Sequence, residues 1–237
     1  MTKMVKKLQN LGNILFIIGI TLICLTACEK NTVEGQSEVE KAREDFSKLH
    51  SGVVEVWNVN TNEIEQTLTF KYDEVGILLY SLTGVSEGEP YEQYCNGYET
   101  YTFENGEVTK VSKGSVNYDA YTYDFRYPMT DDEYLYFVPA KVVSANKSED
   151  ENGVCYSYEY EPSVINGEDN LGELTYFSVN FYFDENDTLT HFEECSEYQK
   201  DGETTQYHYK MVISQRDSVG KVAMPENIKK LTESAEK

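Results

Sequence analysis

From residue 37 onward the apolar positions follow two different periods. Val39, Ala42, Phe46 and Leu49 recur three, four and three residues apart, one stripe of an amphipathic helix. Ser37 with Glu40 three residues on has the form of a capping box, and Gly52 closes the run. Beyond it the period drops to two. Alternating segments at 53–59, 64–72, 75–84, 98–103, 107–112, 115–127, 140–145, 154–161, 174–183, 188–198 and 204–214 predict strands. Short polar connections join many of them. Asn105-Gly106 is the strongest short hairpin signal, because both residues tolerate positive φ. Thr130 with Asp131, Asp132 and Glu133 predicts a short helix or turn before Pro139.

Strands joined by such short turns must run antiparallel, since a parallel pair needs a long crossover. A sheet of about ten strands does not stay flat and open. The predicted fold is α+β, mainly antiparallel β: a long curved meander sheet, half-barrel-like, with the N-terminal helix packed on one face. Strand 174–183 displays the two faces. Phe177, Val179, Phe181 and Phe183 point one way, and Tyr176, Ser178, Asn180 and Tyr182 the other.

The first 27 residues have a different pattern. Lys3, Lys6 and Lys7 precede an uncharged, mostly apolar run from Ile14 to Leu25, and small residues follow at Thr26 and Ala27. That is the layout of a secretory signal peptide. Leu25-Thr26-Ala27-Cys28 resembles the lipobox of bacterial lipoproteins. The resemblance implies cleavage before Cys28 and a diacylglyceryl group on its thiol, two chains where one would hold only marginally. An uncleaved transmembrane anchor is the simpler alternative, although Gln9, Asn10 and Asn13 weaken it. Both put the body outside the cytoplasm, because the lysines stay inside. The implied location is the cell membrane, lipid-anchored on its extracytoplasmic face.

Charge narrows the partners. The chain carries 20 basic and 42 acidic residues; loss of the three N-terminal lysines takes the balance to 17 against 42, a net −25. Such a surface repels nucleic acid and anionic headgroups, which leaves the lipid as the contact with the membrane. The 20 tyrosines speak against a disordered chain and suit half-wet pleated surfaces. With Cys24 in the signal and Cys28 acylated, Cys95, Cys155 and Cys195 remain. They permit one bridge in three pairings, or three buried thiols, the simpler reading.

A lipobox, one early helix, a long meander and a terminal VGKVAMPENI at 219–228 are together similar to the LolA/LppX-type lipoprotein carriers. In those proteins a curved half-barrel sheet wraps helices around an apolar cavity. The resemblance implies a terminal strand running into Met224-Pro225-Glu226-Asn227 and an apolar or amphiphilic ligand. Phe177, Val179, Phe181 and Phe183 would form one wall, and Phe46 and Leu49 a lid. The same residues could equally fill a core against one another.

No catalytic motif is present: G-x-S-x-G, H-E-x-x-H and the P-loop are all lacking. With so many acids, carboxylate pairs carry no signal. His50 follows a helix end, and His191 and His208 lie on consecutive strands, with Cys195 as the one imaginable third zinc ligand. They read as ordinary sheet residues, so no metal and no cofactor is assigned. Asp184–Asp187 and 149–153 look like calcium loops but lack the required pattern. Tyr156, Tyr158 and Tyr160 line one strand face, and Tyr121, Tyr123, Phe125 and Tyr127 another. Cross-strand packing is the simpler account; a stacking platform or cavity wall is the functional one.

The resulting division is a signal peptide at 1–27, a polar tether at 28–36, one domain at 37–230 and a frayed end at 231–237. The function read from it is a noncatalytic binding module. The alternative is a structural or protein-interaction module of the cell envelope using exposed tyrosines.

Overall fold

The computed structural model describes residues 33–86, 88–113, 137–151, 153–164 and 171–235. The signal peptide, Cys28, the strand expected at 115–127 with its tyrosines, and the helix or turn from Thr130 lie outside the described residues. Helix α1 spans Gln36–Ser47. Strands follow at Ser51–Asn58 (β1), Glu63–Tyr72 (β2), Leu78–Ser86 (β3), Glu89–Cys95 (β4), Glu99–Glu104 (β5) and Glu107–Ser112 (β6). After these come Val142–Asp150 (β7), Gly153–Tyr160 (β8), Glu173–Phe183 (β9), Leu189–Lys200 (β10), Glu203–Ser214 (β11) and helix α2, Glu226–Ala235. Among the described residues the strands form one open sheet in the order β6-β5-β4-β3-β2-β1-β11-β10-β9-β8-β7. This is the mainly antiparallel α+β class that the alternation predicts.

Turn chemistry explains the tight hairpins. Asn105 and Gly106 have φ of 53° and 79°, and Asp201 and Gly202 have 54° and 84°, the paired positive values a two-residue hairpin demands. Asp184 serves its own turn: its carboxylate accepts from the backbone N–H of Asn186 and Thr188, each at 2.9 Å.

The described chain divides into two compact units. The first holds α1, β7–β10, β11 as far as Met211 and the turn at Asn58–Thr61. Its packed face is set by register. Tyr156 on β8 lies opposite Phe181 on β9, and Phe181 opposite Phe192 on β10; Tyr158, Val179 and Glu194 form the next row. The chain enters α1 over this face. The Tyr158 hydroxyl donates to the Glu34 carbonyl at 2.6 Å. Gly35, at φ 76°, lies on the Tyr156 ring, where a Cβ would fall 2.2 Å from Cδ1. Val39, Ala42 and Phe46 are the buried positions of α1.

The start of α1 differs from expectation. Gly35, not Ser37, precedes the helix, and its carbonyl takes the first helical bond from Val39 N–H at 3.1 Å. The Gln36 side chain accepts from Val33 N–H, while the Ser37 hydroxyl donates to its neighbour Glu38. The Ser37–Glu40 box is therefore not formed, because the left-handed glycine two residues before Ser37 starts the helix. The helix also ends at Ser47, so Leu49 lies beyond it.

The second unit holds β1–β6 but for the residues of the β1–β2 turn, with the chain from Val212 onward. Leu68 pairs with Leu82 and Phe70 with Tyr80, which pairs in turn with Cys95. Val53, Val219 and Val222 cluster with Leu79 and Tyr94. The terminal strand expected before Pro225 is absent: residues 219–225 have no regular structure. They are held by Lys71, whose ammonium donates to the Val219 and Gly220 carbonyls at 3.0 Å each. Helix α2 then begins, capped from β4. The buried Glu92 carboxylate accepts from Asn227 N–H and Ile228 N–H at 3.0 Å each, and from Asn227 Nδ2 at 2.8 Å. These satisfy donors that a helix start leaves orphaned. The helix runs through 231–235, where a frayed end was expected.

Candidate functional site: an aromatic face with a buried carboxyl

Five of the six residues expected to line a ligand site come from the first unit. Phe46, Phe177, Val179, Phe181 and Phe183 are all buried. Leu49 belongs to the second unit and is half-buried. Phe181 sits at the centre, fully buried, with ring centroids 5.9 Å from Tyr158, 6.0 Å from Phe192 and 6.2 Å from Phe137. Tyr156 meets Phe183 and Tyr160 meets Phe177, each at 5.7 Å. Phe137 lies over Tyr158 at 4.9 Å, and its carbonyl accepts from Arg43 of α1 at 3.1 Å.

The Tyr156, Tyr158 and Tyr160 ladder is therefore part of the packed face. All three are buried, and they pair across strands as the simpler account requires. They offer no exposed platform at those positions. Among the described tyrosines Tyr98, in the second unit, is the exposed one, at 61%.

One row of the face breaks the apolar pattern. Glu194 on β10 stands opposite Val179, flanked on the same face by Phe192 and Ser196. It is only 3% exposed, and both carboxyl oxygens are buried with no hydrogen-bond partner. The Ser196 hydroxyl is in the same condition. Burial pushes the Glu194 pKa up to about 8, and no neighbouring charge contributes. At neutral pH the carboxyl is a neutral acid, with one O–H donor and a carbonyl acceptor. Sequence reasoning missed it. The signal was Phe192-x-Glu194-x-Ser196-x-Tyr198, two polar residues on an otherwise aromatic inward stripe.

The opposite face of the same strands is polar. Glu193 Oε2 lies 3.2 Å from His208 Nε2 and accepts from the Tyr182 hydroxyl at 3.2 Å. His191 stacks on the Tyr182 ring with centroids 4.2 Å apart and planes 7° from parallel. Burial lowers the His191 pKa, with Lys210 acting the same way and Glu193 against it. Burial also raises the Cys195 thiol, helped by Glu197, Glu194 and Glu193. His191 and His208 do meet, around Glu193, yet no three His, Cys, Asp or Glu side chains among the described residues are placed to hold a metal. Glu193 spends its carboxylate as an acceptor that ties three strands together. Cys95, Cys155 and Cys195 are free thiols.

No protein-family model matches the chain, and no curated protein matches it in sequence. Among solved structures it is similar to LprF from Mycobacterium bovis, at 13% identity and a TM-score of 0.48 over 82% of this chain and 97% of that one. MucB in complex with MucA(peri) is matched at 7% identity and a TM-score of 0.19 over 75% of this chain and 92% of that one. At these values neither likeness assigns a family.

Proposed function

We propose that this chain is a lipid-anchored, extracytoplasmic, noncatalytic module that binds an apolar or amphiphilic ligand against the aromatic face of β8–β10. Glu194 carries the reading. A closed core is made of side chains that satisfy one another, and native interiors leave few buried polar atoms unpaired. Here both oxygens of a carboxyl sit unpaired among rings. A ligand with an apolar body and a polar point accounts for both the rings and the acid. The body replaces ring–ring contacts around Phe177, Val179, Phe181 and Phe183 under Phe46, and gains by leaving water. Anchoring through Cys28 rests on Leu25-Thr26-Ala27-Cys28 after the uncharged run. Among the described residues no helix is long and apolar enough to cross a membrane.

Mass spectrometry of the full-length protein taken from cell membranes tests both parts. The expected result is an acylated Cys28 at the mature N-terminus and a second, noncovalent amphiphile that Phe181→Ala depletes. Cys28→Ser should leave the protein unprocessed or free of the membrane fraction. Wild-type processing of Cys28→Ser sinks the anchor, and a preparation free of noncovalent amphiphile sinks the binding module.

A further inference from the structure

Resting on that binding face, we infer that Glu194 and Ser196 hold the polar end of the ligand, and that this end is an uncharged hydroxyl. The surroundings of Glu194 exclude the charged choices. On its own strand Glu193, Cys195 and Glu197 alternate to the other face, where Glu193 meets Tyr182 and His208. From β9 it meets Val179, with Phe177 and Phe181 on either side. From β8 the same face presents Tyr156, Tyr158 and Tyr160. On β11, His208 faces Glu193, so alternation gives Tyr207, Tyr209 and Met211 to the face of Glu194; the Tyr198–Tyr207 ring contact at 5.8 Å agrees. Among the charged residues of α1, Arg43 is turned to the Phe137 carbonyl. Among these described neighbours no cation faces Glu194.

A carboxylate or phosphate head would find no positive partner there and would enter a chain of net charge −22. An ammonium head would ionise Glu194 and bury an ion pair, whose two desolvated charges nothing else among the described residues of this face stabilises. A hydroxyl matches the inventory. Its oxygen accepts from the protonated carboxyl, and its O–H donates to the other carboxyl oxygen or to Ser196 Oγ. The two polar side chains that β10 leaves unpaired are then satisfied together. The site takes a long-chain alcohol or an acylglycerol with a free hydroxyl.

The control follows from the acid. The hydroxyl accepts a hydrogen bond from the carboxyl O–H, which Glu194 has only while neutral. Ionisation removes that donor and sets a charge among Phe177, Val179 and Phe181 that one ligand O–H does not compensate, so alkali weakens binding.

Photolabelling of the full-length protein in its own membranes tests this. Three diazirine probes share one long chain and differ in the head: hydroxyl, carboxylate or quaternary ammonium. A diazirine monoacylglycerol in a fourth arm separates the acylglycerol source from the simple alcohol. Labelled peptides from β8–β10 are quantified by mass spectrometry. The hydroxyl probes should label these peptides about tenfold more than either charged probe at about pH 6. Between about pH 6 and about pH 9 their apparent affinity should fall roughly tenfold, because the neutral, competent fraction falls to about a tenth. Glu194→Gln keeps a donor and an acceptor without titrating, so it should label alike at both pH values. Ser196→Ala should weaken hydroxyl labelling and leave the midpoint of the pH loss in place. Labelling of the face that ignores the head, or ignores pH in the wild type, overturns the inference and leaves the binding module standing. Failure of every probe to label β8–β10 overturns the binding module itself.

Discussion

Replacing Glu194 with glutamine removes a titration without changing the shape of the side chain. The folded protein holds the Glu194 proton up to about pH 8, whereas an ordinary carboxyl releases it at 4.5. Between those values the native state binds more protons than the unfolded chain. Stability therefore falls as pH rises through that interval, and levels off above it. Each pKa unit is worth about 1.4 kcal/mol, so the whole fall amounts to about 5 kcal/mol. Near pH 7 about 3 kcal/mol of it has already been lost. Other groups titrate in the same range. His191, whose folded pKa lies below 6.5, acts in the opposite sense, adding stability as pH rises towards 6.5. The informative quantity is thus the difference between Glu194→Gln and wild type, taken from urea unfolding of the two proteins at matched pH values. That difference should move in favour of the glutamine variant by several kcal/mol between pH 4.5 and 8, with unchanged denaturant slope. A flat difference across the interval would show that Glu194 titrates as it does in water and that its carboxyl is neither dry nor alone.

Two further substitutions probe the packing of the two units. Phe46→Ala empties a buried position of α1 and should cost about 3–5 kcal/mol, while the exposed Lys41→Ala changes little; equal and negligible shifts in the unfolding midpoint would mean that α1 does not dock. Glu92→Ala withdraws the acceptor from the N-terminus of α2 and should cost about 1–3 kcal/mol, with faster amide exchange over 226–235; unchanged exchange there would show the cap to be dispensable.

The legible parts of this chain were those where one residue type implies one backbone geometry. Asn105-Gly106 announced its turn, and the strict alternation of 177–183 announced both faces of β9. Strand β4 went unseen because Pro90 and the polar Glu92 and Gln93 erase the alternating signal; the proline sits at the strand's beginning, where its missing donor costs little. The N-terminus of α1 was misplaced by one turn's geometry, since Ser37 is a better cap by type than Gly35 but lacks the left-handed freedom used there. Helix α2 was hidden because its cap is Glu92, 135 residues away, and no local pattern reports a partner so distant. The site was half visible. Its aromatic wall follows from periodicity, but among 42 acids nothing distinguishes Glu194 until its neighbours are known to be phenylalanine and valine.

On the anchoring proposed at Cys28, the pin at Glu34 and Gly35 would limit how far the protein stands from the membrane. Tyr158 grips the Glu34 carbonyl and Tyr156 underlies Gly35, so the chain is fixed to the fold from residue 34 onward. With Cys28 acylated, six residues bridge lipid and fold, a leash of roughly 20 Å at full stretch. That is shorter than the span of an ordinary bilayer core, about 30 Å. Under the proposed function, a module held so close would exchange an amphiphile with that leaflet or with a neighbour rooted in it and would not ferry cargo across an intervening space; lengthening the segment by insertion after Glu29 is the change that would free it to do so.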